Sequence, residues 1–289
     1  MILNYILFFI GIAAAVIWAV LYFSNYNTFK EIIPSVDDDN YFLRDIFIIG
    51  FSVIKLFKID YIKLGKRNRS KLAELYTKEY ADFNILVCLA AQISYVFTFI
   101  PIGCFLGVAS KEPLLAFVGI FLGVFLAVYV ELKLNSRIEE RHDEILLALP
   151  NALSKMALLV NVGTTFREAW RLASESTGGV LGAEMRATTK LIDNGLSEKD
   201  AYVDFADRCR IQQIKKMVSI ICQNLEKGSS ELASALKEIS IDAWSEKKHL
   251  VKRLGENAST KLVIPMMIMF AGVIIMIIVP IVSNMNMDF

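Results

Sequence analysis

The chain has only two histidines, and each closes an E-x-x-H sequence, Glu139-Glu140-Arg141-His142 and Glu246-Lys247-Lys248-His249. On a helix, residues three apart share a face, so each pair forms half of a di-iron ligand set, which takes further glutamates from two other helices. Both motifs stand in dense charge runs, and a solvated helix face accounts for such runs. No metal ligand set is therefore expected. The four cysteines, Cys88, Cys104, Cys209 and Cys222, have no C-x-x-C spacing and read as packing residues. No G-x-x-x-x-G-K-[ST] loop is present to cradle nucleotide phosphates. The glycine-rich Gly178-Gly179-Val180-Leu181-Gly182 follows no strand-like run and reads as a turn between helices. These residues point to no cofactor and no catalytic group, and an enzyme reading rests on the two E-x-x-H sequences alone.

The elements around these residues are set by charge. Of 31 Lys and Arg residues, ten lie in Ser24 to Asn84, twenty in Lys133 to Lys261, and one, Lys111, elsewhere. A bilayer core about 30 Å thick needs roughly 20 apolar residues per helical crossing. Four stretches meet that need, giving transmembrane helices at 1–23, 85–108, 114–132 and 262–282. A cleaved signal peptide is the alternative for the first, but it has no basic n-region and no small-x-small site after Phe23. Trp18 and Tyr22 suit an interfacial belt. Basic residues mark the cytoplasmic side, so both basic stretches belong inside and both termini outside. No ionisable residue lies at mid-depth, which argues against a transport path. Gly103 with Gly107 and Gly119 with Gly123 form a G-x-x-x-G in each of spans two and three and are expected to pack that hairpin closely. Pro265 and Pro280 bracket the fourth span. The net charge of +1 gives no basic field for nucleic acid.

The soluble stretch 133–261 is punctuated by Gly163, Gly195 and Gly228, at intervals of 32 and 33 residues. Each glycine follows one helical run and precedes another, the pattern of a left-handed stop and a new N-cap. Thr165 with Glu168 and Ser197 with Asp200 have capping-box spacing, while Ser229 or Ser230 caps the third junction without a box. Helices are expected at 133–161, 165–176, 181–193, 198–208, 211–226 and 230–258, a six-helix bundle of hairpins. The fold class is thus all-α, a polytopic membrane protein with four transmembrane helices and a cytoplasmic bundle. A tetratricopeptide array has a similar period, but its W-x-x-L-G-x-x-Y register is missing, and Trp170 and Trp244 occupy different repeat positions. In the smaller stretch, 24–84, Asp37 to Asp39 is acidic and Gly65-Lys66-Arg67-Asn68-Arg69 is a basic cluster at the inner surface. Ile46 to Ile54 is too short to span. It fits either an interfacial helix with lysines toward headgroups or a helix packed on the larger domain.

Leu149-Pro150-Asn151-Ala152-Leu153, the Gly163 and Gly195 hairpins, and a basic helix entering a Pro-bearing span at Lys261 to Pro265 together resemble the type II secretion system F-domain family, over Arg141 to Val282. With one copy of the domain and spans arranged one, two and one, the chain is most similar to the platform proteins of Tad (Flp) pili. The resemblance implies a multi-pass platform in the cytoplasmic (inner) membrane. It would couple a separate hexameric secretion ATPase to extraction of pilin-like subunits, as a homo- or hetero-oligomer with a second platform subunit. Arg167, Arg171, Arg186 and Lys190 are candidates for contact with the motor only as exposed charges. The competing reading is a membrane-anchored helical adaptor for another cytoplasmic partner.

Overall fold

The computed structural model describes residues 2–30, 43–57, 72, 78–110, 114–225 and 229–285. Its helices are α1 (Ile2–Phe29), a 3-10 turn (Arg44–Ile46), α2 (Phe47–Leu56), α3 (Lys78–Ala109), α4 (Leu114–Asn161), α5 (Phe166–Ser176), α6 (Gly179–Asp193), α7 (Glu198–Cys209), α8 (Gln212–Asn224) and α9 (Ser229–Met285), with no strand among the described residues. Four helices are long and apolar enough to cross a membrane, through Leu7–Tyr26, Asp82–Ala109, Ala116–Asn161 and Glu231–Ile278. Gly228, the acidic run at Asp37 and the basic cluster at Lys66 lie outside the described residues. The chain divides into two compact units, Met1–Arg141 and His142–Phe289.

In the first unit α3 packs against both α1 and α2. Spans two and three approach at backbone distance: a Cβ on Gly119 would lie 2.2 Å from the Cα of Gly103, and one on Gly107 would lie 3.0 Å from the Cβ of Ala116. Gly123 faces Phe99 and Val96 in the same way. Four apart, these glycines fall on one helix face, and without side chains the two backbones can touch. Polar side chains tie the helices at intervals. Trp18 Nε1 donates to Thr98 Oγ1 at 3.1 Å, and Gln92 Nε2 donates to the Ala127 carbonyl at 3.4 Å.

The apolar stretch Ile46 to Ile54 falls on the end of the 3-10 turn and on α2. Its residues Phe47 to Ile54 are all buried, and its neighbours are α1 and α3. A helix apolar on every side has no solvated face to present, so it fills a space between other helices. Phe51 stacks on Phe29 with ring centroids 5.4 Å apart, and Phe47 meets Tyr95 edge-on at 5.8 Å.

In the second unit, the helices bury stripes at helical spacing. Phe166, Ala169, Trp170 and Ala173 line α5; Ala201, Tyr202, Phe205, Ala206 and Cys209 line α7; Ile214, Met217, Val218, Ile221 and Cys222 line α8. Ile145, Leu149, Ala152, Leu153 and Met156 of α4 and Leu232 and Leu236 of α9 complete this core.

Candidate functional site

The helices of the second unit are held together by helix stops, an aromatic cluster and charged clamps. Two of the junctions share one local geometry. At the first, the Gly163 N–H donates to Val160 O and the Thr164 N–H to Leu159 O, each at 3.0 Å; at the second, Gly195 N–H and Leu196 N–H donate to Ile192 O and Leu191 O, again at 3.0 Å. Both glycines have φ +97°, a region that L residues avoid because of their Cβ. Each stop is followed directly by a cap. Thr165 Oγ1 accepts from the Glu168 N–H at 3.3 Å, and Ser197 Oγ accepts from the Asp200 N–H at 3.2 Å. Asp200 Oδ2 in turn accepts from the Ser197 hydroxyl at 2.6 Å.

An aromatic cluster joins the hairpins. The Trp170 ring lies 4.8 Å from Tyr202 and 5.1 Å from Phe205, while Phe166 lies 5.3 Å from Tyr202. Trp170 Nε1 donates to the Met185 carbonyl at 3.2 Å, so one side chain ties α5 to α6 by hydrogen bonding and to α7 by ring contact. The Tyr202 hydroxyl is buried without a hydrogen-bond partner. Burial, then the negative charge of Glu198, pushes its pKa up. Burial also raises the Cys222 thiol.

Charged side chains clamp the helices. Arg208 Nε donates to Glu184 Oε2 at 2.8 Å, and its Nη2 donates to Thr188 Oγ1 at 2.8 Å and to the Glu184 carbonyl at 3.2 Å. Nη1 pairs with Asp204. This fan fastens α7 to α6. Lys155 of α4 donates to the Leu172 carbonyl and Ser176 Oγ at the end of α5. Gly178, before α6, offers no capping side chain. Instead Glu144 of α4 accepts from the Val180 N–H at 2.9 Å, placing a carboxylate at the positive end of the helix dipole. Gly179, at φ +63°, leaves room for that carboxylate: a Cβ there would lie 2.2 Å from Glu144 Oε1. The glycine-rich turn is thus shaped for a helix start.

The candidate contact charges are largely engaged. Arg167 pairs with Asp193 at 2.8 Å. Arg171 reaches both Glu168 and Glu175, and its hydrogen bond, then its charge, holds the Glu168 carboxyl below the usual range. Arg186 Nη1 donates to the Ser174 and Thr177 carbonyls. Lys190 is exposed in the last turn of α6. Exposed ion pairs contribute little to stability, so these residues remain a surface. The E-x-x-H glutamates Glu139 and Glu246 are exposed. Among the described residues, no group of three or more His, Cys, Asp or Glu side chains is placed to hold a metal.

Two open grooves flank α8. One, of about 330 Å³, runs between α4, α8 and α9 over Leu149, Met217 and Ile220, with Lys216, Asp242 and Glu246 at its edge. The other, of about 630 Å³, lies between α7 and α8 over Val203, Val218 and Cys222, beside Lys199 and Lys215. Sequence reasoning missed Trp170, Arg208 and Glu144 as organising residues. Only the amphipathic placing of Trp170 signalled any of them, since the partners of the other two lie 24 and 36 residues away.

α9 carries both Leu232 and Leu236 of the second unit's core and the fourth apolar run within one helix, Ser229–Met285. No curated protein and no solved structure matches the chain. Residues 152–280, from α4 through α5 to α8 and into that apolar run, match the family model of the type II secretion system (T2SS), protein F. The likeness to the type II secretion system protein F family is carried by this stretch of the chain.

Proposed function

We propose that this chain is a platform protein of the cytoplasmic membrane in a type IV (Tad/Flp-like) pilus or type II secretion machine. It couples a separate cytoplasmic secretion ATPase to the extraction and assembly of pilin-like subunits. The observation that carries this reading is the protein F match over a stretch in which α9 joins a soluble core to an apolar run. At about 1.5 Å per residue, its 57 residues extend about 85 Å, several times the depth of one leaflet. A displacement of the soluble helices is passed along a hydrogen-bonded rod with little slack. The clamps at Arg208, Lys155 and Glu144 support the same reading, since they make the soluble helices move as a body. Basic residues at Lys247, Lys248, Lys252, Arg253 and Lys261 precede the fourth apolar run, which favours a cytoplasmic soluble domain and both termini outside. The chain needs an external motor because it has no phosphate-binding loop.

The test is crosslinking in intact cells, followed by detergent purification of the chain and mass spectrometry of its partners. A hexameric secretion ATPase together with a pilin precursor is the expected catch. Recovery of neither, with a different cytoplasmic protein in stoichiometric amount, would replace the platform by an adaptor.

A further inference from the structure

We infer that α2 lies within the cytoplasmic leaflet, and that Leu56 and Phe57 at its end form a contact surface for lipid acyl chains. The inference rests on the spans crossing a membrane with both termini outside, as proposed above, and does not depend on which partners the chain engages.

The depth of α2 is set by its partners. Ser52 Oγ donates to the Leu21 carbonyl at 3.2 Å. Leu21 lies inside the run Leu7–Tyr26, five residues before its end, or about 7–8 Å in at the helical rise. On the other side, the Gly50 N–H donates to Ser94 Oγ at 2.9 Å, and a Cβ on Gly50 would lie 2.0 Å from the Ala90 carbonyl oxygen. Ala90 and Ser94 both belong to the run Asp82–Ala109. No side chain larger than hydrogen fits at Gly50, so α2 is seated directly on the backbone of α3.

The polar groups of α2 suit this depth. Ser52 shares its one hydroxyl proton between the Leu21 carbonyl and the nearer Ile48 carbonyl at 2.7 Å, so its hydroxyl is satisfied within the helices. Lys55 Nζ lies 5.7 Å from the Phe29 ring, beyond the end of the first span, as a lysine does when its stem lies along apolar surface and its ammonium reaches headgroups. Phe47 to Ile54 are covered by protein, but Leu56 and Phe57 are 68% and 69% exposed. Val20 and Phe23 of α1, on either side of Leu21, are exposed too. Leu56 and Phe57 follow Ser52 by four and five residues, so the apolar surface they expose lies at the end of the element that Ser52 anchors to the first span. Acyl chains are its occupant, because exposing two large adjacent apolar residues to water at this level would cost about 2–3 kcal/mol each.

The test uses the full chain with Leu56→Cys or Phe57→Cys, each carrying a nitroxide spin label, in phosphatidylethanolamine–phosphatidylglycerol vesicles. Both positions are exposed and accept the label without repacking. The four native cysteines are buried, so the unsubstituted chain treated identically supplies the background. Val203→Cys on α7 is the reference outside the bilayer. Collisions with molecular oxygen should exceed those with a water-soluble nickel chelate several-fold at 56 and 57, with the order reversed at 203. Dominance of the nickel chelate at 56 and 57 would place α2 in water. Access by neither reagent would mean that protein covers the surface; either result overturns the inference.

Discussion

Replacing Gly195 by alanine isolates one physical cause. The residue has φ +97°, and a Cβ built there meets nothing within 4 Å, so the substitution introduces no clash with another part of the molecule. Its whole effect is the conformational cost of placing an L residue in the left-handed region, about 1–2 kcal/mol. Gly195→Val adds a branched Cβ and should cost more. A change of that size raises the open fraction of the α6–α7 hairpin about 5–30-fold. Hydrogen exchange of the detergent-solubilised chain, read by mass spectrometry, should show this acceleration in peptides from Gly179–Asp193 and Glu198–Cys209. Gly163 has the same φ and the same open surroundings, so Gly163→Ala should act equally on α5. Asn194→Ala, one residue earlier at φ −80°, is the control and should leave exchange unchanged. If Gly195→Ala exchanged like the parent while keeping its helical content, positive φ would not be what holds the hairpin.

Gly119→Leu forces a side chain into the Gly103 backbone at 2.2 Å and should cost about 1–3 kcal/mol as overpacking; an unchanged melting temperature in detergent would refute the close approach. Arg208→Met removes the fan between α6 and α7 and leaves Glu184 without its guanidinium. It should destabilise by about 2 kcal/mol, the scale of hydrogen bonds to a charged group, with the loss read as faster exchange in both helices. Tyr202→Phe deletes a buried hydroxyl that has no partner and should be neutral or slightly stabilising in a thermal melt near pH 7. The folded pKa of Tyr202 is raised, so the folded state holds the proton more tightly than the unfolded chain. The associated stability is fully present below the ordinary tyrosine value near 10 and is lost as pH rises toward the folded value. The parent should therefore lose more stability than Tyr202→Phe on going to strongly alkaline buffer; equal losses would show that the hydroxyl is solvated.

Local spacing carried much of the architecture. Four apolar runs are legible because hydropathy adds up along contiguous sequence, and the glycine stops at 163 and 195 and the caps at Thr165 and Ser197 because each depends on residues within about five positions of one another, the range at which backbone sterics act. The G-x-x-x-G faces are legible too, although their partners are not: that Gly119 meets Gly103, and Gly107 meets Ala116, is set by how two helices register. Tertiary structure alone decided the clamps. Arg208 with Glu184, Glu144 with the start of α6, and Trp170 with Met185 join residues that no period connects. It also decided the place of α2. Hydropathy is equally high for a helix on a membrane surface and for one enclosed by other helices, so only Leu21, Ala90 and Ser94, supplied by α1 and α3, reveal which it is.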